Sequence, residues 1–139
     1  MAGETTKAAG SDASRKIAPK FGGPLLNGKV LSHDYLTTQL ELNDVLEIGY
    51  IPKGVTLIGF FAYEDDLDSN GTPTLSQKIT VGSTDVATAI VLGRIGGASF
   101  IGIKPLTTTT ATLVKVTNTA AAATAAAGNI SLTPVYLAN

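Results

Sequence analysis

Cysteine and tryptophan are absent from this chain of 139 residues, and there is only one methionine and one histidine. Without cysteine there is no disulfide framework and no thiolate zinc site. A cysteine-free chain is also compatible with synthesis in a cytoplasm. The single imidazole, His33, rules out a multi-histidine metal centre and any Ser-His-Asp machinery with a ligand to spare. Charge of one sign is scarce too. Ten basic residues nearly balance eleven acidic ones, so the broad positive field used in nucleic-acid binding is missing. Long hydrophobic runs are lacking as well. The longest nearly uncharged stretch, residues 105–139, is broken by Lys115 and dominated by Thr and Ala, far below the hydrophobicity of a spanning helix. The first sixteen residues have no apolar stretch of the kind a secretory signal needs. The expectation is a chain with no membrane segment, no nucleic-acid partner and no cofactor.

What is present is threonine (19), alanine (18) and glycine (15). Charge is placed unevenly. Residues 1–20 hold Lys7, Arg15, Lys16 and Lys20 against Glu4 and Asp12, a net +2; six basic against nine acidic residues leave −3 in the remainder. The first sixteen positions contain no Val, Ile, Leu, Phe or Tyr, so that stretch has no apolar surface to offset the entropy of ordering it. Pro19, Gly22, Gly23 and Pro24 then punctuate the chain. Residues 1–24 are therefore read as a flexible N-terminal arm and junction, and residues 25–139 as one domain.

The domain has a β texture. Leu36, Leu40 and Leu42 share one parity, as do Leu46, Ile48 and Tyr50, with polar residues between; such alternation predicts strands with one buried face. Residues 55–63 (VTLIGFFAY) are apolar at nearly every position, predicting a central strand buried on both sides. Residues 65–73 read as a loop, and Leu75, Ile79 and Val81 as another half-buried strand. Residues 85–95 are open between a capped helix and a strand at 89–92. Further strands are expected at 98–103, 112–117 and 129–137. The alanine-rich stretch between the last two is too short for an independent helix in water and is read as a small-residue loop or hairpin. Pro134 implies an edge position or a bulge. Strands recurring about every ten residues indicate an all-β chain, an antiparallel β-sandwich of jelly-roll type with about eight strands.

Chemistry is sparse. Asp66, Asp68 and Asn70, with Gly71 next in the chain, match the opening of a calcium loop, with oxygen ligands at alternate positions. The twelfth position is Gln77, which offers no bidentate carboxylate, and the flanks are strand-like. A turn built from Asp, Asn, Ser and Gly is the simpler reading, so no metal is expected and these three residues stand as secondary calcium candidates. His33-Asp34 has no nucleophile in a suitable context and reads as a local hydrogen bond. Gly93-Arg94-Ile95-Gly96-Gly97 lacks both the P-loop ending and the dinucleotide spacing, and reads as a turn. No enzyme is indicated.

Residues 41–82 resemble small structural proteins encoded near the capsid genes of tailed bacteriophages. The likeness is carried by Ile48-Gly49-Tyr50-Ile51-Pro52-Lys53-Gly54, by the Asp-Leu-Asp-x-x-Gly-Thr-Pro-Thr loop at 66–74, by the strand closing at 79–82, and by Gly128, Ile130, Leu132 and Tyr136. The resemblance implies a capsid decoration (cement) protein. Such proteins sit on the outer surface of the head, commonly as homotrimers, and bridge major capsid protein subunits. The expected partners are then the major capsid protein and further copies of this chain, and the expected location is the virion, after synthesis in the host cytoplasm. On this reading Lys7, Arg15, Lys16, Lys20, Phe21, Leu25 and Leu26 are the capsid-contact candidates, because an arm that folds on its partner wraps a large surface. The alternative is a tail or head-fibre component that binds a host receptor or glycan; a small β-fold hydrolase is the third and weakest.

Overall fold

The computed structural model describes residues 25–138. Nine strands form: β1 (Leu25–Asn27), β2 (Leu31–Tyr35), β3 (Val45–Ile51), β4 (Val55–Glu64), β5 (Ser76–Val81), β6 (Thr84–Ile90), β7 (Gly97–Thr107), β8 (Thr112–Ala120) and β9 (Gly128–Ala138). They make two antiparallel sheets. One has the order β1-β9-β4-β7, with β2 also on β9 below β1; the other has the order β3-β8-β5-β6. The all-β sandwich expected from the sequence is what forms. No helix among the described residues is long and apolar enough to cross a membrane. Residues 1–24, which hold five of the seven capsid-contact candidates, lie outside the described residues.

The core is the layer between the sheets. Leu57, Phe60, Ala62, Ile130, Leu132 and Val135 point inward from one sheet, and Ile51, Ile79, Val81, Val114 and Val116 from the other. Leu31, Tyr35, Leu40, Leu67 and Leu75 close the layer at its margins. The inward side chains recur at alternate positions, as the pleat requires.

Four local expectations need correction. The leucines at 36, 40 and 42 do not line a strand. Residues 37–39 make one turn of 3-10 helix, tied by the Leu36 N–H to Gln39 Oε1 at 2.9 Å, and only Leu40 is buried. β4 is central but not buried on both faces, since Phe61 and Tyr63 are exposed on its outer side. Residues 84–90 form a strand that starts earlier than 89, and the chain then turns through a second 3-10 turn at Leu92–Arg94. Pro134 stands on an inner strand with neighbours on both sides. Its carbonyl accepts the Gly28 N–H at 2.7 Å, so its ring nitrogen faces the gap where β1 ends and β2 has not begun. No ladder donor is needed at that gap, so proline is tolerated there.

Candidate functional site

Two carboxylates are sealed into one end of the sandwich, and the fold treats them in opposite ways. Asp68, 1% exposed, accepts five backbone N–H groups. Oδ2 takes those of Thr74 (2.8 Å), Leu75 (3.1 Å) and Ala123 (2.9 Å), and Oδ1 those of Thr124 (2.9 Å) and Asn70 (3.3 Å). Burial alone would raise its pKa, but the amides of Thr124, Ala123, Thr74 and Leu75 outweigh burial and hold it well below the usual carboxylate range. The anion is the clasp that fastens the acidic loop to the alanine-rich loop. Around it, Ser69 N–H bonds Thr124 O, Ala126 N–H bonds Leu67 O, and Asn70 Nδ2 donates to Thr124 Oγ1.

The calcium candidates thus serve the backbone. Asp66 Oδ1 accepts the Asp68 N–H, Asn70 Oδ1 accepts the Thr72 N–H, and both Asp68 oxygens face donors. A cation needs lone pairs turned toward it, and here they point at amide hydrogens. No cluster of three or more His, Cys, Asp or Glu suited to a metal occurs among the described residues.

Glu64, 2% exposed, lies at the end of β4 without a cation beside it, and burial pushes its pKa up to about 8. Its partner is the Gln77 amide, one atom of which stands 2.7 Å from Glu64 Oε1. The other amide end lies 3.2 Å from the Tyr35 hydroxyl and 3.1 Å from Asn118 Oδ1. Asn118 Nδ2 in turn donates to the carbonyls of Gln39 and Glu41, which fixes its oxygen toward Gln77. Gln77 must therefore donate to Asn118 and present its own oxygen to Glu64. That is satisfied when Glu64 is protonated and donates. The chain Glu64–Gln77–Asn118 joins the two sheets through a neutral network. Gly93 closes over it, where a Cβ would lie 2.9 Å from both Glu64 Oε1 and a Leu75 methyl. Sequence reading missed this cluster, since Glu64 falls between the strand read at 55–63 and the loop read at 65–73.

The remaining candidates are dispersed. His33 Nε2 lies 3.0 Å from Gln39 Oε1, and its ring meets Tyr35 edge-on at 5.3 Å. Asp34 and Ser32 point to the opposite face of β2, where Asn129 Nδ2 donates to Asp34 Oδ1 at 2.9 Å and to Ser32 Oγ at 2.8 Å. Strand alternation separates them from the imidazole, so no acid-base pair with a nucleophile forms. Leu25 and Leu26 belong to β1 at the margin of the first sheet, in register with Leu137 and Tyr136, and Leu26 is exposed.

The surface carries apolar groups instead. Phe61 and Phe100 sit side by side on the outer face of β4 and β7, ring centres 5.2 Å apart. Beside them Val91 and Ile95 project from the turn after β6. Contiguous exposed apolar surface of this kind marks contact sites between macromolecules.

No family profile matches the chain, and no curated protein matches it. Solved structures do. The chain superposes on a chain of the cyanophage Pam1 capsid asymmetric unit with a TM-score of 0.71 at 24% identity, covering 97% of this chain and 98% of that one. It superposes on a chain of the capsid of Ralstonia phage GP4 with a TM-score of 0.68 at 20% identity, covering 90% and 91%. This protein shares its fold, over nearly its whole length, with components of two phage capsids.

Proposed function

We propose that this protein is a noncatalytic structural component of a phage head, bound to the outer surface of the capsid, where it bridges major capsid protein subunits and stabilises the shell. The observation that carries the reading is the likeness to a chain of the Pam1 capsid across 97% of this sequence. A fold hosts many functions, so the reading also leans on the chemistry of the chain. The two buried carboxylates among the described residues hold loops and sheets together, and the one histidine has no nucleophile and acid arranged beside it.

Attachment is assigned to the N-terminal arm together with the start of β1. Lys7, Arg15, Lys16 and Lys20, with Phe21, Leu25 and Leu26, are the proposed contacts on the capsid. The +2 charge of residues 1–20 suits an acidic partner surface, and β1 gives the arm a fixed point of departure. Self-association, as a homotrimer at three-fold positions of the lattice, would multiply modest contacts by avidity.

The test is co-sedimentation of the purified full chain with heads that lack it. The reading requires saturable binding, and binding at least tenfold weaker after deletion of residues 1–20, with the β-sheet circular dichroism unchanged. Full-chain protein that stays in the supernatant at every ratio would overturn it.

A further inference from the structure

Asparagine is followed by glycine twice in this chain, at Asn27-Gly28 and at Asn70-Gly71, and the fold places the two pairs in opposite circumstances. A glycine after asparagine leaves its backbone nitrogen open to the asparagine side chain. That nitrogen can attack Cγ and close a five-membered succinimide ring. The other described asparagines, Asn43, Asn118 and Asn129, precede Asp, Thr and Ile, whose side chains crowd the same approach.

Asn27 and Asn70 are both exposed, so access to solvent does not separate them. The backbone does. Asn27 ends β1, in register with Val135 of β9. The Gly28 N–H donates to Pro134 O at 2.7 Å. A Cβ on Gly28 would stand 2.8 Å from the Pro134 ring and 2.9 Å from the Tyr136 ring. A nitrogen so committed must give up its hydrogen bond before it acts as a nucleophile. Ring closure must also pull residue 27 out of the extended strand.

Asn70 stands in the loop between β4 and β5. The Gly71 N–H has no acceptor among the described residues, and a Cβ on Gly71 would meet nothing within 4 Å. The Asn70 side chain folds back over Gly71, since its Oδ1 accepts the Thr72 N–H at 2.8 Å. This turn leaves a donor on Oδ1, where negative charge builds as the ring closes. Nδ2, the leaving nitrogen, is held by Thr124 Oγ1 at 2.9 Å, at an exposed position.

We infer that Asn70 is a modification site, converting spontaneously in the folded protein to aspartate and isoaspartate, and that pairing with β9 protects Asn27 from the same reaction. The Gly71 nitrogen loses its proton to hydroxide and bonds Cγ. The Cγ–Nδ2 bond breaks, and Nδ2 takes a proton from water and leaves as ammonia. Water then opens the ring at either carbonyl, and nothing is oxidised or reduced. The product lies within the Asp68 clasp. Asp68 anchors this loop at the Asn70 and Thr74 N–H groups, 3.3 and 2.8 Å from its oxygens. Isoaspartate routes the main chain through its β-carbon and lengthens the segment between those anchors. Both products add an anion to a loop that already holds Asp65, Asp66 and Asp68. Conversion therefore loosens the acidic loop from the alanine-rich loop. The inference concerns the free folded chain and does not depend on the capsid reading.

The test incubates the full chain in mildly alkaline buffer and follows it by tryptic digestion and mass spectrometry. Residues 21–29 carry Asn27 and residues 54–78 carry Asn70, each as the only asparagine of its peptide. In the folded protein Asn70 should convert at least tenfold faster than Asn27, with isoaspartate among the products. In urea the two should convert at closely similar rates. Equal rates in the folded protein, or an Asn70 that converts only in urea, would overturn the inference. An Asn27 that stays slow in urea would overturn the protective role of β9. Gly71→Ala places its methyl in open space, so it should leave Tm unchanged and slow Asn70 at least fivefold; a wild-type rate would contradict attack by the Gly71 nitrogen. Aged protein enriched in isoaspartate should exchange the amide hydrogens of Ala123 and Thr124 at least fivefold faster than fresh protein, and unchanged exchange would contradict the loosened clasp.

Discussion

The end of the sandwich around Asp68 and the side between β6 and β7 are built on opposite plans. At the first, a cluster of acids that looks ready for chemistry is consumed internally, with both oxygens of Asp68 given backbone donors. At the second, a bland run of Val, Leu, Ile and Gly carries exposed apolar side chains, with Ala89 at positive φ and two strand edges that have no partner among the described residues. The polar end holds the fold together, and the apolar side is available for assembly. In this protein, groups that resemble an active site are structural, and groups that resemble misplaced core are the candidates for function.

Substitutions can break that contrast, starting with the largest effect. Replacing Asp68 with Ala strands five amides in a dry loop junction, and should lower stability in urea denaturation by at least about 3 kcal/mol. Asp68→Asn should recover little, since its amide nitrogen faces donors. The lowered pKa sets the sign of the pH dependence. The stabilisation from Asp68 is full above the pKa of an unfolded aspartate and is lost as acid protonates the folded carboxylate. The acid limb of the stability profile should therefore flatten in Asp68→Ala.

Glu64 gives the opposite sign and a smaller effect. An unfolded chain releases this proton near pH 4.5, while the folded protein keeps it to about 8. Stability should therefore decline between those values and level off above them. Glu64→Gln keeps a donor toward Gln77 and removes the titration. It should raise Tm at pH 8–9, a gain on the order of a few kcal/mol, and change it little at pH 4. A variant whose Tm tracks the wild-type pH curve throughout would contradict the neutral network.

On the apolar side the effects should fall on assembly alone. Ile95→Ser, at an exposed site, should alter unfolding free energy by no more than about 0.5 kcal/mol, yet shift the sedimentation profile toward monomer. Smallest of all, Tm should be the same in EGTA and in millimolar calcium, because the oxygens of Asp66, Asp68 and Asn70 already accept backbone hydrogens.

Much of the fold is legible because strand alternation is written into the chain. Ile79 and Val81 on β5 read as inward positions by their alternation with Lys78 and Thr80, and both are buried. The failures have identifiable causes. Leu36, Leu40 and Leu42 alternate correctly, but the Gln39 side chain captures the Leu36 amide and curls the chain into a turn. Phe61 and Tyr63 read as buried because hydrophobicity alone does not distinguish core from contact surface. Pro134 misleads because its harmlessness depends on where β1 stops and β2 starts, which only the assembled sheet shows. The candidate site is less legible still. Glu64 and Gln77 are thirteen positions apart in sequence, and Asp68 meets Ala123 and Thr124 across 55 and 56 residues. Nothing local marks such pairings.

Position on the head is the central claim. It is tested most directly by a cryo-EM reconstruction of heads reconstituted with the purified full chain. The expected result is ordered β-sandwich density on the outer surface, touching at least two major capsid protein subunits at each site. Heads that bind no such density, or density confined to the tail or its fibres, would contradict it.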